Sequence, residues 1–289
     1  GNCVGNLLVE DSADAGFTEI VSSHCHSIGI SCKNSYSLAF HNTTIFNCIS
    51  DGLVLDGCVN TIIESTGIEN NLGNGLNITN ATNQVMLNDL VLKYNNSNGI
   101  TVSSNSGAIM VSNCICDTNT KGIYSQGDNV SIADTFVVNN TSTGIDVNGA
   151  SVIEGNHVCN NVIGILINQN NCSITDNVCE GNSSHGIECV LSENAISGNI
   201  IKDSGGDAIK VTGNDNAVEG NICKSSTLYG IRVSGNDNII TTNRARDNGE
   251  GCNIESGATD NIISLNNLKN NTTNLTDSGT ATISVSNKT

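Results

Sequence analysis

A stretch of 26 residues contains the unit from which most of this sequence is built. Residues 208–233 read AIKVTGNDNAVEGNICKSSTLYGIRV. The stretch opens with a small residue followed by Ile, any residue and Val, and the same phrase returns 22 residues later at Gly230. Between the two copies stands a second phrase, in which Val218 is followed three positions later by Asn221. Alternation with a period of two in such short phrases is typical of β-strands that bury one face.

The first phrase recurs along nearly the whole chain at intervals of 20–24 residues. Its copies begin at Asn6, Gly29, Gly52, Gly75, Gly99, Gly122, Gly144, Gly164, Gly186, Ala208, Gly230 and Gly251. A coil of this length cannot bury its apolar face alone, so successive coils must stack and pair their equivalent strands in parallel. The sequence predicts an all-β solenoid of about 12 coils, about 22 residues per coil, with no α-helix from Leu7 to Leu268.

Stacking converts the repeated positions into ladders. The first apolar position of the phrase predicts an inward ladder from Leu7 to Cys252, and the second predicts another from Val9 to Ile254. The second phrase predicts a ladder of asparagines at Asn113, Asn156, Asn177, Asn199, Asn221, Asn243 and Asn266, and Asp134 departs from it. Stacked amides can hydrogen-bond to one another along the solenoid. The lack of proline agrees, because every central strand must donate its N–H groups.

This pattern resembles the right-handed parallel β-helix superfamily, in particular the pectate-lyase-like repeat of carbohydrate-binding and sugar-hydrolase proteins and of archaeal and bacterial surface proteins. The resemblance covers about residues 5–270. It implies a single right-handed parallel β-helix over residues 1–270. The first phrase lapses after Asn270, so residues 271–289 are predicted to form a C-terminal cap or an inter-subunit segment. Because one architecture hosts many activities, the resemblance predicts the fold far more specifically than the function.

The composition excludes several classes of protein. Lys and Arg number 11 against 28 Asp and Glu, which gives a net charge of −17 and a pI near 4.3. Nucleic acid is not an expected partner, because no basic stripe can displace counterions from phosphate. Membrane insertion is not expected either, because no long apolar run is present. A hydrophobic fraction of 37% with 13% charged residues argues against a disordered chain.

The sequence contains 13 cysteines, an odd number, so at least one thiol is unpaired. Cys179, Cys189, Cys223 and Cys252 are predicted to be buried, reduced thiols that pack as small hydrophobic side chains. The coil that carries Ile201 separates Cys179 from Cys223, which places them too far apart for a disulfide. The lack of a disulfide scaffold predicts a reducing or anoxic habitat, such as that of an anaerobe.

His24, Cys25 and His26 are the only side chains whose spacing points to a metal ion. In a strand the two histidines share a face, and His41 or Cys48 would approach from the next coil. A zinc site needs four ligands at a recognisable spacing, and no Cys-x-x-Cys motif completes one. We interpret these residues as exposed turn residues and predict neither a metal site nor a cofactor.

One group of outward positions carries residue types suited to catalysis. Enzymes of the resembled superfamily that act on acidic polysaccharides work on the outer face of the coils, with Asp-bound Ca²⁺ and with Lys, Arg, His or Tyr for proton transfer. The matching patch consists of His185, Glu188, Asp207, Lys210, Tyr229 and Arg232, two residues on each of three successive coils. The favoured interpretation is that these are charge pairs on a solvated sheet, because no long insertion walls a cleft. A Ca²⁺ ion is implied only if the chain is carbohydrate-active.

Asn, Gly, Ser and Asp in the turns produce two further motifs. Thirteen Asn-x-Ser/Thr sequons are glycosylation candidates if the source glycosylates proteins. They stand at Asn42, Asn77, Asn80, Asn95, Asn129, Asn139, Asn140, Asn171, Asn182, Asn270, Asn271, Asn274 and Asn287. The turns Gly213–Asn216 and Gly235–Asn238 resemble Ca²⁺ loops, but these residue types also favour left-handed turns, so a structural role is predicted.

These observations favour an extracellular structural or adhesive β-helix of a cell-surface layer, sheath or filament. We expect it to self-assemble end to end or laterally, through residues near Gly1–Glu10 and Asn270–Thr289, because open ends of a parallel solenoid invite further strands. One alternative is a polysaccharide lyase-like or epimerase-like enzyme that uses the patch from His185 to Arg232. Another is a glycan-binding adhesin or phage spike. In both alternatives the partner is a polysaccharide, but without a walled groove the chain is predicted not to be an enzyme.

Overall fold

The structure is a computed structural model that describes residues 2–3 and 6–289. The chain separates into two compact units, Gly1–Ser151 and Val152–Thr289. Both units consist of β-strands, and no helix occurs among the described residues. The prediction that no helix lies between Leu7 and Leu268 is therefore confirmed. In the described part of the chain there is accordingly no helix long and apolar enough to cross a membrane.

The first unit is a succession of short strands. They are β1 (Asn2–Cys3), β2 (Leu7–Glu10), β3 (Gly16–Thr18), β4 (Val21–Ser23), β5 (Ile30–Lys33), β6 (Ala39–His41), β7 (Thr44–Phe46), β8 (Leu53–Asp56), β9 (Val59–Glu64), β10 (Gly67–Glu69), β11 (Leu76–Thr79), β12 (Asn83–Asn88), β13 (Val91–Lys93), β14 (Ile100–Val102), β15 (Gly107–Ser112), β16 (Ile115–Asp117), β17 (Ile123–Ser125), β18 (Val130–Ala133), β19 (Phe136–Val138) and β20 (Thr143–Val147). Every third strand pairs in parallel with its equivalent one turn away. This unit is therefore a parallel β-solenoid with three sheets: sheet A from β1, sheet B from β2 and sheet C from β3.

The second unit has the same arrangement. Its strands are β21 (Ser151–Glu154), β22 (His157–Cys159), β23 (Ile163–Ile167), β24 (Ser173–Thr175), β25 (Val178–Glu180), β26 (Ile187–Cys189), β27 (Ala195–Ser197), β28 (Ile200–Lys202), β29 (Ile209–Val211), β30 (Ala217–Glu219), β31 (Ile222–Lys224), β32 (Tyr229–Val233), β33 (Ile239–Thr241), β34 (Arg244–Arg246), β35 (Glu250–Ile254), β36 (Ile262–Ser264), β37 (Thr273–Asp277) and β38 (Ile283–Val285). Sheet B has seven strands in the first unit, β2 to β20, and six in the second, β23 to β37. The chain thus makes about 13 turns, one more than the predicted 12.

The additional turn lies in residues 271–289. Leu275 of β37 pairs with Cys252, and Ile283 of β38 pairs with Ile262. The sequence pattern did not reveal this turn because Asn274 stands where the first phrase normally has glycine. A role of this segment as a cap or an inter-subunit contact stays a prediction.

The predicted inward ladders are confirmed within each unit. In the first unit the register joins Leu7, Ile30, Leu53, Leu76, Ile100, Ile123 and Ile145. In the second it joins Ile165, Ile187, Ile209, Ile231 and Cys252. All of these side chains except Leu7 are fully buried. Apolar side chains of similar size that stack in register can fill the core of each solenoid closely.

The glycine that opens the first phrase is required by close contact between turns. A Cβ atom on Gly99 would lie 2.6 Å from the carbonyl oxygen of Gly122, and one on Gly230 would lie 2.6 Å from that of Gly251. Parallel strands lie roughly 4.8 Å apart, so the next turn cannot move away to make room. A side chain larger than hydrogen is therefore excluded at Gly99 and Gly230, where the phrase of sheet B opens.

Stacked asparagines satisfy the buried backbone at the corners of the solenoid. In the predicted ladder from Asn156 to Asn266, each backbone N–H donates to the side-chain oxygen of the next Asn, as Asn177 does to Asn199 at 3.0 Å. The assignment of Asn113 to this ladder is wrong. The apolar residue that starts the phrase is the buried Val111 and not the exposed Met110, so the ladder position falls on Cys114. Asn113 is exposed and has a φ of 53°.

Further asparagine ladders had not been predicted. The first unit contains Asn71, Asn95, Asn119 and Asn140. The second contains Asn194, Asn216, Asn238 and Asn261, and also the stacked pair of Asn161 with Asn182 and that of Asn248 with Asn271. Asn216 and Asn238 close the two turns that resembled Ca²⁺ loops, and both are buried with their side chains hydrogen-bonded in the ladder. The asparagines of these ladders recur every 21–24 residues, but the many other asparagines in the turns made this spacing hard to recognise.

The four cysteines predicted to be buried are fully buried free thiols: Cys179, Cys189, Cys223 and Cys252. Cys179 and Cys223 both pair with Ile201, from opposite sides, so two strand spacings separate them. Burial raises the pKa of Cys189 and of Cys252 to about 12, and it raises that of the other two further. A thiol at such a pKa is almost entirely protonated and is a poor nucleophile at neutral pH.

We therefore expect that a maleimide leaves these four thiols unmodified in the native protein and labels them only after unfolding in guanidinium. Mass spectrometry of peptides from the two samples measures the difference, and the unfolded sample is the control for reactivity. Labelling of any of the four at the rate of the unfolded chain would contradict their place in the core.

Candidate functional site

The outer face of sheet B in the second unit carries a cluster of ionisable side chains. Strands β26, β29 and β32 turn their aliphatic residues inward, so alternate residues point to solvent. Register places Glu188 beside Lys210, and Lys210 beside Arg232. The position before each phrase supplies His185, Asp207 and Tyr229. The structure thus places all six residues of the predicted patch on this face, and we call them the outer cluster.

His185 and Asp207 face each other from successive turns. The Nδ1 atom of His185 lies 3.5 Å from Oδ2 of Asp207 and accepts a 3.2 Å hydrogen bond from the backbone N–H of Asp207. Because Nδ1 accepts this bond, the neutral ring carries its proton on Nε2. Burial lowers the pKa of His185, and the nearby carboxylates oppose this only in part. The imidazole is therefore neutral at pH 7.

Asp207 is a buried carboxyl group without a hydrogen-bond donor. Its side chain is 0% exposed, and neither carboxyl oxygen accepts a hydrogen bond. The Nη1 atom of Arg232 lies 3.8 Å from Oδ2 of Asp207, too far for a hydrogen bond. Burial raises the pKa of Asp207, against the opposing charges of protonated His185, Arg232 and Lys210. The backbone N–H of Tyr229 also lowers this pKa, although it lies outside hydrogen-bonding geometry. Such a group favours its protonated form, which is the form that can give a proton to the adjacent Nδ1 of His185.

The two cations of the outer cluster are already paired. The Nζ atom of Lys210 lies 2.8 Å from Oε1 of Glu188, and Nε of Arg232 donates a 2.8 Å hydrogen bond to Oε1 of Glu255. The bonds to Glu255 raise the pKa of Arg232, whose guanidinium also lies 5.5 Å from the ring of Tyr229. The two cations and the two carboxylates that pair with them sum to zero charge, and neither state of Asp207 adds a positive one. The cluster therefore offers no excess positive charge to an anionic ligand.

Glu255 had not been predicted as part of this site. It stands four positions after the glycine of its phrase, whereas the predicted columns lie one position before and two positions after that glycine. Because residues two apart share a face of a strand, Glu255 lies on the same face as Asn253. A third outward column, four positions after the glycine of each phrase, would have included Glu255.

A pocket of about 260 Å³ opens beside Tyr229. It is lined by Thr227, Leu228, Tyr229, Gly249, Glu250, Thr272 and Thr273. The lining combines one aromatic ring with several hydroxyl groups and a carboxylate. The aromatic ring offers an apolar surface to a ligand. The threonine hydroxyl groups and the carboxylate can form hydrogen bonds with a ligand that carries several hydroxyl groups.

The outer face of sheet B in the first unit is also polar. The Nζ atom of Lys121 lies 2.6 Å from Oδ2 of Asp146 and 4.2 Å from the centre of the Tyr124 ring. Asp51 accepts side-chain hydrogen bonds from Asn74 and Asn77 at 3.0 and 2.8 Å. All of these residues occupy the same repeat positions as the outer cluster. Asn77 had been predicted only as a glycosylation candidate, and the others had not been predicted as site residues, although the two outward columns contain all of them when they are followed through every coil.

Two family models match the sequence. Residues 28–170 match the model described as right handed beta helix region, and residues 166–289 match the periplasmic copper-binding protein (NosD) model. The parallel register of both units and the 20–24-residue repeat agree with these matches. The chain is a right-handed parallel β-helix protein. No curated protein matches the sequence of this β-helix protein significantly.

Solved structures share the fold of the β-helix protein. A double mutant of the periplasmic alginate epimerase AlgG is 14% identical with a TM-score of 0.64, over 98% of this chain and 77% of its own. The DFA-IIIase from Arthrobacter chlorophenolicus A6 is 16% identical with a TM-score of 0.62, over 82% of this chain and 66% of its own. A mutant tailspike of E. coli bacteriophage HK620, in complex with a hexasaccharide, is 11% identical with a TM-score of 0.64, over 86% and 59%. At these identities the similarity shows the fold alone.

The residues that match the copper-binding model do not fit a copper ion. His185 is the sole histidine between residues 166 and 289, and that region contains no methionine. Its cysteines, such as Cys189 and Cys252, are buried in the core. Among the described residues, no group of three or more His, Cys, Asp and Glu side chains is arranged to hold a metal ion. We therefore derive no copper chemistry for this β-helix.

His24, Cys25 and His26 are not gathered into a site. Cys25 is 1% exposed, whereas both histidines are exposed on the surface. The ring of His24 contacts Phe46 edge-on at 5.7 Å, and its Nε2 lies 3.4 Å from Nδ2 of Asn47. The alternation of the strand pattern had placed both histidines on one face, but the positive φ of His24, 54°, breaks that alternation.

The structure sorts the thirteen predicted sequons by exposure. Asn95, Asn140 and Asn182 are at most 2% exposed and belong to the asparagine ladders, so the folded β-helix cannot present them for glycosylation. The exposed sites are Asn42, Asn80, Asn129, Asn139, Asn171 and Asn270, and the half-buried sites are Asn77, Asn271, Asn274 and Asn287. Glycosylation at these ten stays a prediction. The sequence did not show that three of the sequons are buried, because an asparagine of a ladder and an asparagine of an exposed turn have the same sequence surroundings.

Proposed function

We propose that this β-helix protein is carbohydrate-active: it binds a polysaccharide at the outer cluster and exchanges a proton with it. The observation that carries the proposal is the buried carboxyl group of Asp207, which has no hydrogen-bond donor and lies 3.5 Å from a neutral His185. Leaving such a group unsatisfied costs about 1–3 kcal/mol of stability. Titratable groups with shifted pKa values beside a pocket are typical of functional sites.

The residues of the outer cluster have separate roles in this proposal. The Nε2–H of His185, whose side chain is 15% exposed, gives its proton to a sugar oxygen, and the buried, protonated Asp207 passes its own proton to Nδ1 of His185. Tyr229 lines the pocket of about 260 Å³ and packs against the sugar ring. Arg232 is held by Glu255, and its charge, which favours ionisation of Asp207, only partly offsets the effect of burial on the pKa of that carboxyl group.

A neutral polysaccharide is the substrate class that the charges favour. A uronate would have to displace Glu188 from Lys210 or Glu255 from Arg232, since both cations are paired. The similar structures include an alginate epimerase and a tailspike with a bound hexasaccharide, which supports a glycan as the ligand. The matched family model and the epimerase are both described as periplasmic, which supports an extracellular or periplasmic location.

The test is a panel of neutral and uronate polysaccharides, offered with and without added Ca²⁺, because a uronate would contribute its own carboxylates as Ca²⁺ ligands. Binding is measured by calorimetry and turnover by new reducing ends or unsaturated products. We expect at least one neutral polysaccharide to be turned over, and the His185→Asn variant to lower kcat/KM by about 10²–10⁴-fold.

The matched control is His157→Asn, which removes a half-buried histidine of sheet A in the same unit. This variant should keep the kcat/KM of the parent. If no polysaccharide of the panel binds or reacts, or if both variants lose the same fraction of activity, the proposal fails.

A structural or adhesive role is the second candidate function. It is favoured by β38 of sheet C, on which Ile283 and Val285 are 55% and 49% exposed. Exposed apolar side chains that lie close together favour contact with further protein. The matching prediction for Gly1–Glu10 lies partly outside the described residues, at Gly1, Val4 and Gly5. Rods joined end to end in electron micrographs, together with a negative polysaccharide panel, would promote this candidate.

A further inference from the structure

A second pocket lies in the first unit, at the corner where the chain leaves β13 of sheet A and enters β14 of sheet B. It has a volume of about 290 Å³ and is lined by Tyr94, Asn95, Asn96, Thr118, Asn119, Thr120 and Thr141. Asn95 and Asn119 belong to the buried ladder and form its floor. Tyr94, Asn96 and Thr141 are exposed at its rim. The pocket shares no residue with the outer cluster.

Tyr94 has a backbone conformation that disfavours its side chain. Its φ is 56°, in the left-handed region, and among the described residues with positive φ it is the only tyrosine or phenylalanine. Equivalent positions of neighbouring turns carry Asn47, Asn70, Thr118 and Asn139, each with a φ of 55–56°, so three of these four are asparagine. Asparagine tolerates this conformation far better than an aromatic residue.

The fold does not require a tyrosine at this position. The backbone N–H of Tyr94 donates to the carbonyl oxygen of Asp117 at 3.2 Å, and that of Asn70 donates to Lys93 in the same way at 3.0 Å. An asparagine would make the same backbone bond without the strain. The Tyr94 side chain is 52% exposed, so burial of the ring does not repay the strain either. Strained residues that packing does not explain are concentrated at binding sites.

The polar groups around Tyr94 are neutral and complementary to hydroxyl groups. Thr120 Oγ1 donates to the backbone oxygen of Asn96 at 2.8 Å, and Thr118 Oγ1 donates to Asp117 at 2.8 Å, so both hydroxyl oxygens remain acceptors. The side chains of Asn96 and Thr141 face solvent and offer both donors and acceptors. None of the seven residues that line the pocket is charged. The pocket therefore suits an uncharged ligand that has hydroxyl groups and one apolar face.

We propose that this pocket binds a single neutral pyranose residue of a glycan. The C–H face of the sugar stacks on the ring of Tyr94, and its hydroxyl groups bond to Asn96, Thr120 and Thr141. A volume of about 290 Å³ lies at the low end of ligand sites, which fits one sugar residue and not an oligosaccharide. This site binds glycan without acting on it, and it does not depend on the chemistry proposed for the outer cluster.

The test uses saturation-transfer NMR with the methyl glycosides of glucose, galactose, mannose and N-acetylglucosamine as probes. We expect transfer from the protein to the ring C–H protons of at least one probe. The Tyr94→Asn variant should weaken that binding about tenfold, by removal of one stacking surface. The same variant should raise the Tm by about 2–4 °C, because it relieves the backbone strain.

The gain in Tm separates a binding role of Tyr94 from a structural one, since a variant that binds less but melts higher has not lost its fold. Tyr36→Asn, which removes another exposed tyrosine of the first unit, is the matched control and should bind the probe as the parent does. Turnover at the outer cluster, measured separately, should be the same in Tyr94→Asn as in the parent, so failure at this pocket and failure at the outer cluster are distinguishable. No transfer to any probe, or equal transfer in Tyr94→Asn and the parent, overturns the proposal.

Discussion

The Asp207→Asn variant is expected to lose the activity proposed for the outer cluster while its fold becomes more stable. The amide has nearly the shape of the carboxyl group but has no proton to give, so the rate should fall by about 10²–10⁴-fold. At pH 7 the parent must either keep this buried carboxyl protonated or ionise it without a hydrogen-bond donor. The amide avoids both costs, and a gain of about 1 kcal/mol corresponds to a rise of roughly 2–4 °C in Tm.

The gain in stability should grow as the pH rises. Burial raises the pKa of Asp207 in the folded state, so the folded chain binds this proton more tightly than the unfolded chain. The parent therefore loses stability as the pH rises above the unfolded value of about 3.9 and through the raised pKa, and the loss is complete above it. His185 has the opposite dependence: its pKa is lowered, so its contribution is lost as the pH falls below about 6.5.

Thermal melts followed by circular dichroism between pH 4 and pH 8 measure this difference. Asp203→Asn is the matched control, because Asp203 is exposed and has a φ of 53° that asparagine also adopts. The control should follow the parent at every pH. Parallel curves for the parent and Asp207→Asn would show that Asp207 does not retain its proton in the fold.

The Asn199→Ala variant is expected to destabilise the second unit by about 3–5 kcal/mol, a large loss for a single side chain. The side-chain oxygen of Asn199 accepts from both N and Nδ2 of Asn177 at 3.0 Å, and its Nδ2 donates to the carbonyl oxygen of Ile174 at 2.9 Å. Asn199 is 0% exposed, so water cannot replace these bonds. Alanine leaves several buried backbone groups unsatisfied, each at a cost of about 1–3 kcal/mol.

Chemical denaturation in urea gives this free energy, with Asn214→Ala as the control in the same unit. Asn214 is exposed and accepts one hydrogen bond, from the backbone N–H of Asn236 at 2.8 Å. Its loss should cost less than about 1 kcal/mol, because water can take its place. An equal loss in the free energy of unfolding for Asn199→Ala and Asn214→Ala would mean that the asparagine ladder does not stabilise the fold.

The sequence by itself determined the architecture and the register. Repetition of one phrase at a nearly constant interval leaves parallel stacking as the way to bury every copy, and alternation within the phrase fixes which residues point inward. The repeat alone is enough to predict that Glu188, Lys210 and Arg232 lie side by side, and their strands do pair in that register. The prediction from sequence was wrong where a copy of the phrase departs from the pattern. Asn274 replaces the usual glycine, so the last turn was not predicted. Met110 and Val111 are both apolar, and the choice of Met110 moved the predicted ladder position by one residue.

Only the tertiary structure decided the chemical state of the outer cluster. The sequence predicted six polar groups on a solvated sheet, whereas Asp207 is fully buried without a donor and His185 accepts a backbone hydrogen bond that fixes its tautomer. Glu255, four positions along the next phrase, takes the guanidinium of Arg232. A repeat fixes the column and the direction of each Cβ, but burial, rotamer and charge pairing depend on side chains from several turns at once. Those contacts do not repeat, so the periodicity that predicted the fold carried no information about them.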